Sequence, residues 1–126
     1  MISVTDEQVK ETLRQVVSER PEYIYSSPDH MQGHTGDPSC FYVHRDNDED
    51  RTPVSGGCVV GVVLQRLGVS LEELAKEEGN AALNSVPRLL SGLSSETVRM
   101  LDSIQSYQDQ KTPWGMAYAQ ATGETI

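Results

Sequence analysis

The order of apolar and polar residues divides the chain into a helical start, a polar middle and a helical second half. Near the N-terminus, Val9, Leu13, Val16 and Val17 recur at helical spacing and form one apolar stripe. Thr5 and Gln8 have the spacing of a capping box, in which each side chain satisfies the other residue's backbone N–H. Pro21 closes the segment, because the residue before a proline avoids helical dihedrals. The pattern predicts a helix over residues 5–19. Next come "EYIY" and "CFYVH", aromatic and β-branched stretches that predict two short strands. Between and after them lie loops over residues 26–39 and 45–56, rich in Pro, Gly, Ser and Asp.

From Gly57 onward the periodicity is helical. Val59, Val60, Val62, Val63, Leu64 and Leu67 make a segment apolar on nearly every side, so it is predicted to be buried. Gly61 within it costs about 1 kcal/mol relative to Ala, which makes sense where another backbone packs closely. Gly68 ends this helix, and Ser70 with Glu73 caps the next, "LEELAKEE", which Gly79 stops. A short helix is predicted near residues 81–90, interrupted by Pro87. Ser94 or Ser95 caps another, whose core face is Val98, Leu101, Ile104 and Tyr107. After Pro113, "WGMAYAQA" predicts one terminal helix. The expected architecture is a single helix-rich α+β domain over residues 1–126, with a small two-stranded β element and about four to six helices.

Composition narrows the setting. Of 126 residues, 37% are hydrophobic, enough for one modest core. The N-terminus lacks the basic start and apolar stretch of a signal peptide, and no apolar run approaches bilayer length, so a cytoplasmic protein without a membrane partner is expected. The net charge of -9 argues against nucleic acid, whose phosphates are met by clustered Lys and Arg. An acidic surface favours encounter with a basic protein partner.

Three chemical readings follow from particular residues. The segment "LQRLGVSLEELAKEEG" resembles the helix-turn-helix units of small bacterial repressors. Its would-be reading helix, however, presents Glu72, Glu73, Glu77 and Glu78 against one Lys76, which phosphates would repel. Cys58, at a helix start, and His44, ending a predicted strand, outline a cysteine hydrolase. No third group orients the histidine, and free cysteines are commonly buried, so a core thiol is the preferred reading. His30, His34, Cys40 and His44 offer four zinc-type donors, but without a Cys-x2-Cys knuckle. The run "DNDED" fails as a calcium loop: counted from Asp46, the sixth and twelfth positions hold Arg51 and Gly57 rather than Gly and Glu. No cofactor is expected.

"SCFYVH", "SGGCVVGVVLQRLGVSLEEL" and "QSYQDQKTPWGMAYAQA" together are similar to small proteins of actinobacteria and their phages. That resemblance implies an actinobacterial or phage source and carries over no catalytic residue. The expected function is therefore non-catalytic binding to a protein, either a host protein or a second copy of the chain. The candidate contact residues are exposed aromatics in or beside the loops, Tyr23, Tyr25, Tyr42 and Trp114, and the rival reading of each is that it covers the small core. The alternatives are a zinc protein using His30, His34, Cys40 and His44, or a hydrolase using Cys58 and His44.

Overall fold

The computed structural model describes residues 2–25, 42–45, 53–78 and 80–125. Strand β1 (Ile2–Ser3) leads into α1 (Asp6–Glu19), then β2 (Val43–Arg45), β3 (Pro53–Gly56), α2 (Val59–Arg66) and α3 (Leu71–Ala75). They are followed by α4 (Ala82–Leu89), β4 (Leu90–Ser91), α5 (Ser95–Asp109) and α6 (Trp114–Thr122). This is a helix-rich α+β fold. One hydrophobic cluster runs from Val4 to Tyr118 and takes residues from every helix. No helix among the described residues is long and apolar enough to cross a membrane.

The predicted helices form where their caps and stripes place them. Thr5 and Gln8 make the full reciprocal box at the head of α1, and Val9, Leu13, Val16 and Val17 are its buried face. Ser70 accepts from the Glu73 amide at 3.2 Å, the first half of its box. Helix α3 is shorter than its sequence pattern and passes into turns after Ala75; Gly79, its predicted stop, lies outside the described residues. Pro87 sits inside α4 without interrupting it.

The strands differ from expectation. Residues 22–25, predicted as a strand, pair with no sheet. Their neighbourhood hydrogen-bonds instead to the head of α6: the Trp114 amide donates to the Tyr23 carbonyl at 2.9 Å, and that of Gly115 to the Pro21 carbonyl at 2.7 Å. Aromatic content there marks a half-buried surface, which a strand is one way of making and a docked turn is another. The partner of β2 is β3, inside the predicted loop over residues 45–56, with Val43 opposite Gly56 and His44 opposite Ser55. The remainder of that loop and the whole of the loop over residues 26–39 lie outside the described residues. A second, parallel pair joins β1 to β4, which no residue pattern had marked.

Two glycines hold these strands against the helices. The Tyr42 carbonyl accepts from the Gly57 amide at 2.9 Å and rests on Gly61. A Cβ at Gly61 would lie 2.2 Å from that oxygen, so the backbone just before β2 makes the close approach to α2 that the glycine suggests. Gly92 has φ +95°, and a Cβ there would lie 2.4 Å from the Val4 carbonyl beside the β1–β4 pair. The heads of α1 and α5 are joined through Asp6, whose carboxylate accepts from the Ser94 amide at 3.0 Å. That hydrogen bond holds the Asp6 carboxyl below its ordinary value.

Gly61→Ala is expected to destabilise the protein by about 3 kcal/mol, because backbone rather than a movable side chain occupies the space. Urea unfolding followed through the fluorescence of Trp114, the single tryptophan, checks this. Asp6 supplies a pH test. Its folded-state carboxyl titrates below its ordinary value of 3.8, so its contribution is complete above that pH and is lost as pH falls through the folded value. Asp6→Asn should lower the melting temperature at neutral pH, and the gap from wild type should close in acid.

Candidate functional site

The two chemically suggestive residues, Cys58 and His44, are each engaged elsewhere. Cys58 is the N-cap of α2, but its side chain caps nothing and is fully buried. The first backbone N–H groups of α2 are therefore without a local acceptor, a costly arrangement in a dry interior. The sequence solves this from a distance, through α5. Gln108 Oε1 accepts from the Val59 amide at 2.8 Å, and Gln105 Oε1 from the Val60 amide at 3.3 Å. Gln105 Nε2 then donates to Cys58 Sγ at 2.9 Å. The thiol is thus an acceptor inside a capping network. Gln108 Oε1 also receives the Trp114 indole N–H at 3.2 Å, and Gln108 Nε2 donates to Asp109 Oδ1 at 3.0 Å.

His44 lies at β2, half-buried, with Nε2 at 3.0 Å from the Tyr25 hydroxyl and the two rings stacked at a tilt. The described bond to the Cys58 thiol comes from Gln105 and not from this imidazole, so the structure does not assemble the predicted Cys58–His44 pair. Of the zinc donors, His30, His34 and Cys40 lie outside the described residues. Among the described residues no three His, Cys, Asp or Glu side chains converge.

The expected exposure of the four aromatics needs correction. Tyr25, Tyr42 and Trp114 are buried, at 1%, 3% and 0% exposure, and Tyr23 is half-buried. The reason is volume: in so small a core the large rings are needed as filling. Their polar ends still find partners. The Tyr42 hydroxyl donates to the Asn80 carbonyl at 2.6 Å, while the Tyr42 amide donates to the Glu78 carboxylate at 2.6 Å. Tyr23 and Trp114 meet edge to face, their centroids 4.9 Å apart. The Arg20 guanidinium lies 4.4 Å from the Tyr23 ring and 4.9 Å from the Trp114 ring, binding the end of α1 to the head of α6.

This joint carries what the sequence reading missed. Ile24 and Met116, beside Tyr23 and Trp114 in the chain, are 48% and 56% exposed. Leu83, on α4, is the other large apolar side chain so exposed among the described residues. No periodicity reveals them, because which face of residues 21–25 and of α6 is covered is set by tertiary contacts. Gln105 and Gln108 did leave a signal: they fall in the stripe of Leu101 and Ile104, where a buried polar residue needs a partner.

Gln108→Leu is expected to cost about 2–4 kcal/mol, since it leaves the Val59 amide and the Trp114 indole without an acceptor. The exposed Gln110→Leu should stay within about 0.5 kcal/mol of wild type. Denaturant unfolding of the two variants, monitored by circular dichroism, provides the comparison.

No protein-family model matches the chain, and neither the curated proteins nor the solved structures contain a match.

Proposed function

We propose that the protein is a non-catalytic interaction protein that docks on a protein partner through the joint between residues 20–24 and the head of α6. The observation that carries this reading is the exposure of Ile24 and Met116, close in sequence to Tyr23 and Trp114, whose rings stack with Arg20 where the end of α1 meets the head of α6. Apolar side chains presented by an ordered aromatic base lose little conformational freedom on binding, and such anchors dominate interface energetics. Tyr23 contributes its half-buried ring directly and Trp114 holds that ring edge to face, while Tyr25 and Tyr42 are buried against His44 and Asn80 and serve the core.

The burial of Cys58 within the glutamine network supports a structural rather than nucleophilic thiol. With 19 acidic and 10 basic residues, the chain suits a partner with a basic surface, which would be drawn in over long range and then anchored by apolar contact. The similarity to actinobacterial and phage proteins directs the search to actinobacterial extracts, with a host protein as the first class of partner.

Ile24→Asp and Met116→Asp are expected to keep the wild-type melting curve and to lose capture of the partner that the wild-type protein retains saturably from such an extract. A partner held equally well by both variants would refute this surface. Absence of any saturable partner across several hosts, together with a monomeric chain in sedimentation, would refute the interaction reading as a whole.

A further inference from the structure

Helices α1, α5 and α6 enclose a cleft of about 340 Å³ that takes no part in the docking joint. Its floor is apolar: Leu13 is fully buried, Tyr118 is 5% exposed, and Met100 and Ala121 are partly covered. Its rim is charged with both signs. Lys10 of α1 and Arg99 of α5 stand there with Glu96 of α5 and Glu124, just beyond α6. All four are exposed.

Opposite charges gathered around one cleft can pair with one another, although in the exposed state they gain little by it. Here they do not: the ion pairs among the described residues are Arg66 with Glu19 and Arg88 with Glu77. The charge of Lys10 is felt by Asp6, but that carboxylate is already committed to the Ser94 amide. The cleft therefore keeps two cations and two carboxylates available around a greasy floor, with a volume at the lower end of small-molecule sites. An anion alone would satisfy the cations and face the carboxylates; a cation alone would meet the reverse problem.

We infer that this cleft binds a small zwitterion with an apolar or aromatic body, of the size of a free amino acid, its carboxylate toward Lys10 and Arg99 and its ammonium toward Glu96 and Glu124. The Tyr118 ring supplies an aromatic surface for the body. Its phenol, raised above its ordinary value first by burial and then by the charge of Glu124, lies at the edge of the floor beside the Thr122 side chain. Helical spacing explains why these groups share one wall: Glu96, Arg99 and Ser103 follow one another along one face of α5, and Tyr118, Ala121 and Thr122 along one face of α6.

The test uses the full chain and ligands that share one body. L-phenylalanine and L-leucine are titrated into isotope-labelled protein, with backbone amide shifts as the readout. 3-Phenylpropanoate, lacking the amine, and 2-phenylethylamine, lacking the carboxylate, follow. Saturable shifts centred on residues 10–13, 96–103 and 118–124 are expected for the amino acids, with each single-charge analogue about tenfold weaker or more, the loss of one charge-assisted contact. Lys10→Gln with Arg99→Gln should weaken L-phenylalanine by at least that factor without changing the melting curve, because both side chains are exposed. Glu96→Gln with Glu124→Gln should do the same. Failure of both amino acids to saturate, shifts centred elsewhere, an analogue that equals L-phenylalanine, or indifference to both double variants would overturn the assignment.

Discussion

The head of α2 is the constraint around which the molecule is organised. This helix is the apolar centre of the core, and its N-terminus points into the interior with a cysteine where a capping side chain would normally sit. Buried N–H groups without acceptors would undo much of what the valines contribute by leaving water. The amide oxygens of Gln105 and Gln108 remove that penalty and fix the rotation of α5 against α2. The same face of α5 serves a third element: Asp102 accepts from the Leu83 amide at 3.1 Å, at the head of α4. Spaced at three-residue intervals, Asp102, Gln105 and Gln108 form a polar seam that caps two neighbouring helices.

This division between self-capped and neighbour-capped helices explains what was legible in the sequence. Helices α1, α3 and α5 begin with Thr5, Ser70 and Ser94, whose side chains accept from their own first turns. Local chemistry of that kind is visible in a window of four residues: it assigns Thr5 and Ser70 outright and the third cap to Ser94 or Ser95, of which Ser94 makes the bond. Helices α2, α4 and α6 begin after Cys58, Ala81 and Pro113, none of which makes a side-chain cap bond. Their caps come from α5 and from the carbonyls of Pro21 and Tyr23. Apolar periodicity still located the helices, but nothing local shows which distant residue completes each one. The pairing of β1 with β4 is unmarked in the sequence for a related reason. β1 and β4 comprise two residues each and are held by Gly92 against Val4, an approach that no short-range pattern encodes. The burial of Tyr25, Tyr42 and Trp114 is not legible locally, because propensity identifies rings that like half-buried surfaces without saying which side of the surface they take.

Helix α6 shows how interior and exterior are tied together. Nine residues are too few for a stable isolated helix, and its N-cap offers no side-chain bond. Its position is set by the hydrogen bonds from Trp114 and Gly115 to residues 21–23, by the Trp114 indole on Gln108 and by the Arg20 stack. Gly115 matters here for its missing side chain, since a Cβ would lie 2.9 Å from the Pro21 carbonyl. Gln108 therefore holds two things at once, the head of the central helix and the ring that shapes the outer joint. The core cannot loosen at that amide without the surface around Met116 losing its support.

The same accounting bears on where activity resides. The groups that first suggest chemistry, a thiol at a helix start and an imidazole beside a tyrosine, are held by hydrogen bonds to Gln105 and Tyr25. A nucleophilic thiol requires an exposed, electropositive setting; Cys58 has a buried one, with an amide donor as its described hydrogen-bond partner. Reactive residue types in a small domain are thus weak guides to function when the core is short of polar partners and recruits them as caps. The more informative signals are groups the fold leaves unspent: apolar side chains kept in water on a rigid base, and opposite charges that share a cleft without pairing. Neither is visible as a motif, because each is defined by the absence of a contact that only the folded chain could have made.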